Sequence, residues 1–317
     1  MNLKIATTTI NPPTEALLKY ASFGMEVIVA GDLKTQHNLF QNIPNVTYIH
    51  PNYQESKYKK LSDLIGWNCM ERKNMAILEA YSRGADYIAL IDDDNIPYDN
   101  WGEDLCVGKE TKTTLYLKQN ENDIAFDPIG SFKEYSHLWH RGFPLELLPD
   151  RKYDKFIKDV IIVPDLQAIL WNGDPDVDAI CRMIYKPRCI FDPLKFPIAS
   201  DRFGPCNGQN IILSRKIISD YFLFPQTERQ QDIWASFYIQ SKGYKIIYTK
   251  PGVLSDRSLG TMGRYSVITD MKKEYCGMEY NKKLLEDLMI NPEFIHKYLS
   301  EQSSKSFREW KEIIKNL

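Results

Sequence analysis

Three consecutive aspartates, Asp92, Asp93 and Asp94, follow an apolar run at residues 87–91. Because side chains alternate along an extended chain, Asp92 and Asp94 are expected to point to the same side and Asp93 to turn away. Carboxylates crowded at the end of a buried strand repel one another and resist desolvation, and a divalent cation removes that cost. Mg²⁺ and Mn²⁺ prefer oxygen ligands and keep positions for phosphate. The pattern therefore predicts that Asp92 and Asp94 bind Mn²⁺ or Mg²⁺ together with a nucleotide diphosphate; a solvated acidic turn is the alternative.

Strand and helix patterns alternate in the part of the chain that must position these aspartates. Strands are predicted at residues 3–9, 25–30, 46–49 and 87–91, and helices at 15–22 and 70–83. After a loop-rich stretch at 101–205, strands are predicted at 210–213 and 245–249, and helices at 228–241 and beyond 281. This alternation predicts an α/β fold with a mostly parallel central sheet flanked by helices. Ligands bind beyond the carboxyl ends of the strands in such sheets, where the aspartates lie.

Composition argues against several classes of protein. The 317 residues include 40 Lys and Arg against 42 Asp and Glu, a formal net charge of −2, so no nucleic-acid partner is predicted. The longest apolar runs are shorter than the roughly 18 residues of a membrane helix, and no transmembrane segment is expected. Six scattered cysteines without a C-x-x-C pair indicate reduced thiols and a cytoplasmic location. His137 and His140 have no further ligands at a suitable spacing, which argues against zinc.

The last segment carries a one-sided apolar pattern. Trp310, Ile313, Ile314 and Leu317 lie at relative positions 0, 3, 4 and 7, as on one face of a helix. We expect this face to pack on the rest of the chain. A contact between two copies in a homo-oligomer is the alternative.

The apolar strand that ends in Asp-Asp-Asp, preceded by a helix that opens with Arg72-Lys73-Asn74, resembles the nucleotide-sugar transferases of the GT-A fold. The resemblance is closest to the plant reversibly glycosylated polypeptides, which are UDP-arabinopyranose mutases. Five further segments are similar to that family in the same order: Arg141-Gly142-Phe143-Pro144, Pro175-Asp176-Val177-Asp178-Ala179, Gly208-Gln209-Asn210, Asp232-Ile233-Trp234 and Lys272-Lys273-Glu274-Tyr275. Together they span roughly residues 70 to 280. The family's histidine-containing segment after the last strand is replaced here by Leu254-Ser255-Asp256-Arg257.

The resemblance implies a metal-dependent glycosyltransferase that takes a nucleotide sugar, most simply a UDP-sugar, and a glycan or other hydroxyl acceptor. It also implies a division of the chain. Residues 1–280 form the GT-A-like domain, with a nucleotide-binding half at 1–100 and a sugar and acceptor half at 101–280, and residues 281–317 form a C-terminal helical extension. A pyranose/furanose mutase and a catalytically silent nucleotide-binding subunit are the alternative functions.

The resemblance also implies roles for individual residues near the first strands. The residues expected to bind the nucleotide are Thr8, Thr9, Asn11, Asp32, Arg72, Lys73 and Asp93. Hydroxyl and amide groups can bind a base and ribose, and Arg and Lys can neutralise a diphosphate. Each has a structural alternative: the hydroxyls can cap the next helix, Asp32 can belong to a turn, and the basic pair can lie exposed on a helix.

The catalytic and sugar-binding roles fall on the second half of the chain. Arg141 is expected to contact phosphate and stabilise leaving-group charge, because a guanidinium is too weak a nucleophile to take up sugar. Asp232 is expected to accept a proton from the acceptor or to bind a sugar hydroxyl. Asp256 is a candidate third metal ligand. The residues expected to bind the substrate are Trp171, Asp176, Asp178, Asn207, Gly208 and Asn210.

Overall fold

The structure, a computed structural model, describes residues 2–117, 123–151, 156–256 and 266–317. The strands are β1 (Leu3–Thr9), β2 (Val27–Gly31), β3 (Val46–Ile49), β4 (Tyr87–Ile91), β5 (Asn95–Pro97), β6 (Thr111–Lys112), β7 (Leu115–Leu117), β8 (Phe156–Ile157), β9 (Ile161–Ile162), β10 (Leu166–Gly173), β11 (Ile198–Ser200), β12 (Asn210–Ser214) and β13 (Ile246–Ser255). The helices are α1 (Glu15–Ser22), α2 (Pro51–Ile65), α3 (Lys73–Ser82), α4 (Ala179–Tyr185), α5 (Gln231–Ser241), α6 (Val267–Ile290) and α7 (Glu301–Lys315).

One large sheet holds most of the strands, in the order β3-β2-β1-β4-β12-β10-β13-β11-β7-β8, with β5 paired to β13. Strands β1 to β4, β8, β10 and β13 run in one direction, and β5, β7, β11 and β12 run in the other. Helices α1, α2 and α3 lie between successive parallel strands in the chain. The predicted α/β fold with a mostly parallel sheet flanked by helices is confirmed.

The local patterns located several elements closely. Strands β1, β3 and β4 and helix α1 have the predicted bounds. Strand β4 is almost wholly buried, as its unbroken apolar run requires. Helix α2 was not predicted from the sequence because most of its residues are polar. Strand β10, in the stretch predicted to be loop-rich, lies in the middle of the sheet between β12 and β13.

The carboxyl-terminal helices pack on the sheet domain. Trp310 and Ile314 are buried, and the Trp310 indole Nε1 donates to the carbonyl oxygen of Ile218 at 2.8 Å. The apolar face of α7 therefore packs on the rest of the chain, as predicted, although Leu317 at its end is exposed. The predicted boundary at residue 281 falls inside α6, where Asn281 is buried and accepts a hydrogen bond from Trp234. None of the helices in the described ranges is long and apolar enough to span a membrane.

Candidate active site

A cavity of about 480 Å³ opens where the carboxyl end of β4 meets the residues that precede β12 and α4 and the first turns of α3, α5 and α6. The antiparallel pairing of β4 and β12 explains this meeting, because it places Ile91 opposite Asn210 and lets the Asp92 amide donate to the Gln209 carbonyl at 3.0 Å. The residues predicted from the sequence that line the cavity are Lys73, Asp92, Asp94, Arg141, Asp176, Gly208 and Asp232. Residues from distant parts of the chain are thus brought to one site.

The three aspartates after β4 face different sides, as strand alternation predicts. Asp92 and Asp94 line the cavity. Asp93 turns away from it, and its carboxylate accepts hydrogen bonds from the Thr9 hydroxyl and, at 3.0 Å, from Asn11 Nδ2. Burial raises the pKa of Asp93, and these two hydrogen bonds oppose that rise. Asp93 therefore ties the end of β1 to the end of β4, while its neighbours face the cavity.

The ligand set at the end of β4 fits a divalent cation. Asn95 is buried and lines the cavity, and its Oδ1 accepts no hydrogen bond from any described residue, while its Nδ2 donates to Asp94 Oδ1 at 3.2 Å. A buried, unsatisfied amide oxygen is costly and is relieved by a cation or an ordered donor. Two carboxylates and an amide oxygen are ligand types that Mg²⁺ and Mn²⁺ use. Within the described ranges no group of three or more His, Cys, Asp or Glu side chains could hold a metal.

Asp256, the candidate third ligand, is not among the residues that line the cavity. The pairing of β5 with β13 sets Asn95 opposite Ser255, and Ser255 lines the cavity in place of its neighbour. The structure therefore brings Asn95, rather than Asp256, beside Asp94. The role of Asp256 as a metal ligand remains a prediction from the sequence.

Lys73 is the cation nearest the aspartates. Its Nζ lies 2.6 Å from Asp92 Oδ1 and donates to the Gly208 carbonyl at 3.1 Å. The side chain is almost fully buried, because Lys73 opens α3 directly beneath the sheet edge. This ion pair fixes the orientation of the Asp92 carboxylate at the cavity wall.

Arg141 lies between two carboxylates at the opposite wall. Its Nε lies 3.0 Å from both oxygens of Asp176, and its Nη1 and Nη2 donate to Asp232 at 3.2 and 3.1 Å. Burial lowers the pKa of Arg141, but the charges of Asp176 and Asp232 outweigh it and hold the pKa well above its ordinary value. Because nearly all its donors are engaged, Arg141 is a clamp for these carboxylates and is poorly placed to be the phosphate contact predicted from the sequence.

The two clamped carboxylates have further partners. Asp176 accepts a hydrogen bond from Asn207 Nδ2 at 2.8 Å, and Asp232 accepts one from the Gly208 amide at 2.9 Å. Burial raises the pKa of Asp176, but Arg141 and then Arg229 lower it well below its usual range. The two roles predicted for Asp232, accepting the acceptor proton or binding a sugar hydroxyl, remain predictions.

Arg229, Asp270 and Lys273 line the cavity without having been predicted to do so. Arg229 Nε donates to Glu274 at 2.7 Å, and its Nη2 lies 3.4 Å from Asp176 Oδ1. Lys273 is exposed at the cavity and forms no ion pair with any residue in the described ranges. The available signal was the i, i+3, i+4 spacing of Asp270, Lys273 and Glu274, which places all three on one face of α6.

The residues predicted to bind the nucleotide base and ribose lie outside this cavity. Thr8 Oγ1 donates to the Ala30 carbonyl at 2.7 Å, and Asp32 accepts the amides of Asn68 and Cys69 at 2.8 and 3.2 Å. These bonds fix the carboxyl ends of β1 and β2 to the segment before α3. Their nucleotide-binding role remains a prediction.

Arg72 is fully buried rather than exposed on a helix. Its guanidinium donates to the Ser62 hydroxyl at 3.0 Å and to Gln54 Oε1, and it lies over the Trp67 ring at 3.7 Å. Burial lowers the pKa of Arg72 to about 10. These contacts join α2 to α3, and the structure does not bring Arg72 to the cavity with Lys73.

Several residues predicted to bind sugar also have structural partners. Trp171 is buried in the core, away from the cavity lining, with its ring against His140. Asp178 caps α4 by accepting the Cys181 amide at 2.8 Å. Asn210 accepts a hydrogen bond from Trp101 Nε1 at 2.9 Å. The structure thus gives none of these three a place on the cavity wall.

Comparison with known proteins places the fold in context. No protein-family model matches the sequence, and no curated protein matches it significantly. Crystal structures of glucosyl-3-phosphoglycerate synthase from Mycobacterium tuberculosis are similar in fold. The complex with phosphoglyceric acid has 12% sequence identity and a TM-score of 0.40, covering 86% of this chain and 79% of that chain. The complex with Mn²⁺, UDP-glucose and phosphoglyceric acid has 11% identity and a TM-score of 0.41, covering 86% and 80%.

Proposed function

We propose that this protein is a metal-dependent glycosyltransferase with a nucleotide-sugar donor, most simply a UDP-sugar. One observation carries the proposal: Asp92, Asp94 and Asn95 line the same cavity as Lys73 and Lys273. A site of this kind suits a ligand that is a metal-bound diphosphate, because cations and oxygen ligands meet at one edge of the sheet. The family resemblance of the Asp-Asp-Asp segment points to the same chemistry.

The residues that line the cavity would bind different parts of the substrate. Asp92 and Asp94, with Asn95 Oδ1, would hold Mn²⁺ or Mg²⁺, which when bound supplies Lewis-acid stabilisation of a departing diphosphate. Lys73 and Lys273 would neutralise phosphate charge from two sides. Asp176 and Asp232 would bind sugar hydroxyls, and Arg141 would hold both carboxylates in a fixed orientation. A glycan or other hydroxyl acceptor would approach through the open side, past α6.

The hydrogen bonds and ion pairs of Arg141 give no support to the mutase alternative. In the resembling mutases an arginine of this segment is the group that takes up sugar, whereas here Arg141 is buried and bonded to Asp176 and Asp232. A protonated guanidinium held by two carboxylates is not a nucleophile. Transfer to an acceptor therefore fits this arrangement better than exchange through the arginine.

The proposal is tested by the binding of Mn²⁺ and UDP. Manganese binding is followed by electron paramagnetic resonance, and UDP binding by calorimetry with and without Mn²⁺. Asp92→Asn and Asp94→Asn should each weaken metal binding and metal-dependent UDP binding by roughly ten-fold or more, because each removes one anionic ligand. Asp99→Asn is the matched control, since Asp99 is 95% exposed and pairs only with Lys19 among the described residues.

Unchanged metal and UDP binding in both variants would reject the proposal. A panel of UDP-sugars then separates the functions. Release of UDP only when an acceptor is present supports transfer, whereas interconversion of sugar ring forms without UDP release supports a mutase. Binding with neither reaction supports a silent subunit.

A further inference from the structure

A group of exposed apolar side chains lies at the carboxyl end of α4, the opposite end of this helix from Asp176, and has no role in the proposed reaction. Met183, Ile184 and Tyr185 end this helix and are exposed, and Ile190 and Leu194 in the segment that follows are 71% and 83% exposed. We call these five residues the α4 face. Exposed apolar side chains are unremarkable singly, but a contiguous group marks a surface that another body covers.

Helix α4 buries a charged side chain and ends in exposed apolar ones. Its buried side includes Arg182, which pairs with Asp174 at 3.1 Å and donates to the Pro175 carbonyl. Its outer side carries Met183, Ile184 and Tyr185, which are 50%, 58% and 44% exposed. Ile180 is half-buried and packs on the core. A short helix that buries an arginine and presents isoleucine and methionine outward is not explained by the packing of this chain alone.

The two loop residues of the α4 face are held beside the helix. The Tyr135 hydroxyl accepts from the Ile190 amide at 2.7 Å and donates to its carbonyl at 2.8 Å, and the His137 ring lies 5.0 Å from the ring of Tyr185. One short segment thus contacts both the end of the helix and the loop. Ile190 and the end of α4 are therefore both held by the segment 135–137.

The charges around the α4 face are mainly positive. Lys133, Lys186 and Arg188 are exposed, and none of them pairs with a residue in the described ranges. Lys195 is neutralised by Glu134 at 2.6 Å. Asp192 is an exposed carboxylate in this region, and it accepts a hydrogen bond from the Leu194 amide at 3.0 Å. A net positive, apolar face on a chain of net charge −2 is complementary to an anionic apolar partner.

From this geometry we infer that the α4 face binds an anionic lipid surface. Protruding Met, Ile, Leu and Tyr side chains rimmed by Lys and Arg are the composition that inserts into the headgroup and acyl boundary of a membrane. Lys133, Lys186 and Arg188, which pair with none of the described residues, favour anionic headgroups. The protein would lie on the membrane with the cavity of the candidate active site beside it.

The inference is tested by co-sedimentation of the full chain with vesicles of phosphatidylcholine, with and without phosphatidylglycerol. The protein should bind the anionic vesicles, and Ile184→Glu/Leu194→Glu should reduce binding by roughly ten-fold or more. Lys186→Ala/Arg188→Ala should reduce binding to anionic vesicles by roughly 25-fold, about five-fold for each cation. The matched control is Ile268→Glu/Ile290→Glu, which changes two exposed isoleucines of α6.

Thermal unfolding and circular dichroism show whether each variant is folded, and neither depends on nucleotide binding. Failure of the native protein to bind anionic vesicles would overturn the inference, as would equal loss in the α6 control. Analytical ultracentrifugation tests whether the α4 face instead joins two copies of the chain. A dimer that Ile184→Glu/Leu194→Glu dissociates, without any vesicle binding, would assign the α4 face to a second copy of the chain. None of these outcomes depends on whether the cavity binds UDP.

Discussion

Replacing Arg141 with methionine tests the clamp at the cavity wall. The substitution keeps most of the side-chain volume and removes the charge that Asp176 and Asp232 share. Both carboxylates are buried, so their desolvation is no longer matched by a nearby cation. Breaking a buried pair by deleting one partner costs about 3–5 kcal/mol.

The two carboxylates keep other hydrogen-bond partners in the variant, so the expected loss of stability lies toward the lower end of that range. Asp176 keeps Asn207 at 2.8 Å and Arg229 at 3.4 Å, and Asp232 keeps the Gly208 amide at 2.9 Å. We therefore expect Arg141→Met to lower the free energy of unfolding by about 3 kcal/mol, measured by urea denaturation at pH 7. The control is Asp63→Asn, which breaks the exposed pair with Lys59 and should leave stability unchanged.

The pH dependence of this loss distinguishes a charge effect from a packing effect. In the native protein Arg141 holds the pKa of Asp176 below its unfolded value, so this contribution is present above about pH 4 and is lost as the pH falls below it. In the variant, burial favours the protonated carboxyl, so its stability falls as the pH rises from 4 to 7. The difference between the two proteins should be largest at pH 7 and shrink toward pH 4.

Two results would refute this account of Arg141. A loss below about 1 kcal/mol at pH 7 would mean that the carboxylates do not need the guanidinium. A loss that stays constant between pH 4 and pH 7 would mean that packing, and not charge, is what the substitution removes. Either outcome would return Arg141 to the phosphate-binding role predicted from the sequence.

Two further predictions concern stability away from the clamp. Burial raises the pKa of Glu71 to about 7, so native stability should fall as the pH rises from about 4.5 to 7. Glu71→Gln should abolish this pH-dependent loss, which amounts to at most about 3 kcal/mol of unfolding free energy. Urea denaturation at pH 5 and 7.5 measures it, and a substitution that changes stability equally at both pH values would contradict the role of burial. Trp310→Ala should cost about 3–5 kcal/mol because this indole is fully buried against Ile218, whereas Leu317→Ala at the exposed end of α7 should change nothing. A Trp310→Ala loss under about 1 kcal/mol would show that α7 is not integral to the core.

Local patterns account for what could be predicted. Neighbouring residues alone were enough to predict strand β4, from its unbroken apolar run. They were also enough to predict that Asp92 and Asp94 face one side and Asp93 the other, from the alternation of side chains. The spacing of Trp310 and Ile314 predicted a packed helix face in the same way.

Burial and long-range pairing account for what could not. Trp171 and Arg72 have side chains that suit a binding site, yet the structure buries both. Packing against other elements decides this: Trp171 lies against His140, and Arg72 against α2. Strand β10 was missed because it is flanked by irregular loops, and only its pairing with β12 and β13 makes it central.

The amino-acid sequence specified the α/β architecture and the acidic end of β4, because hydrophobic periodicity and side-chain alternation act over a few residues. The tertiary structure alone decided what the charged side chains do. Arg141 meets Asp176 and Asp232 across 35 and 91 residues of chain, and Asn95 faces Ser255 through strand pairing. A charge takes its role from the partners within a few ångströms of it, and those distances are set by folding rather than by order along the chain.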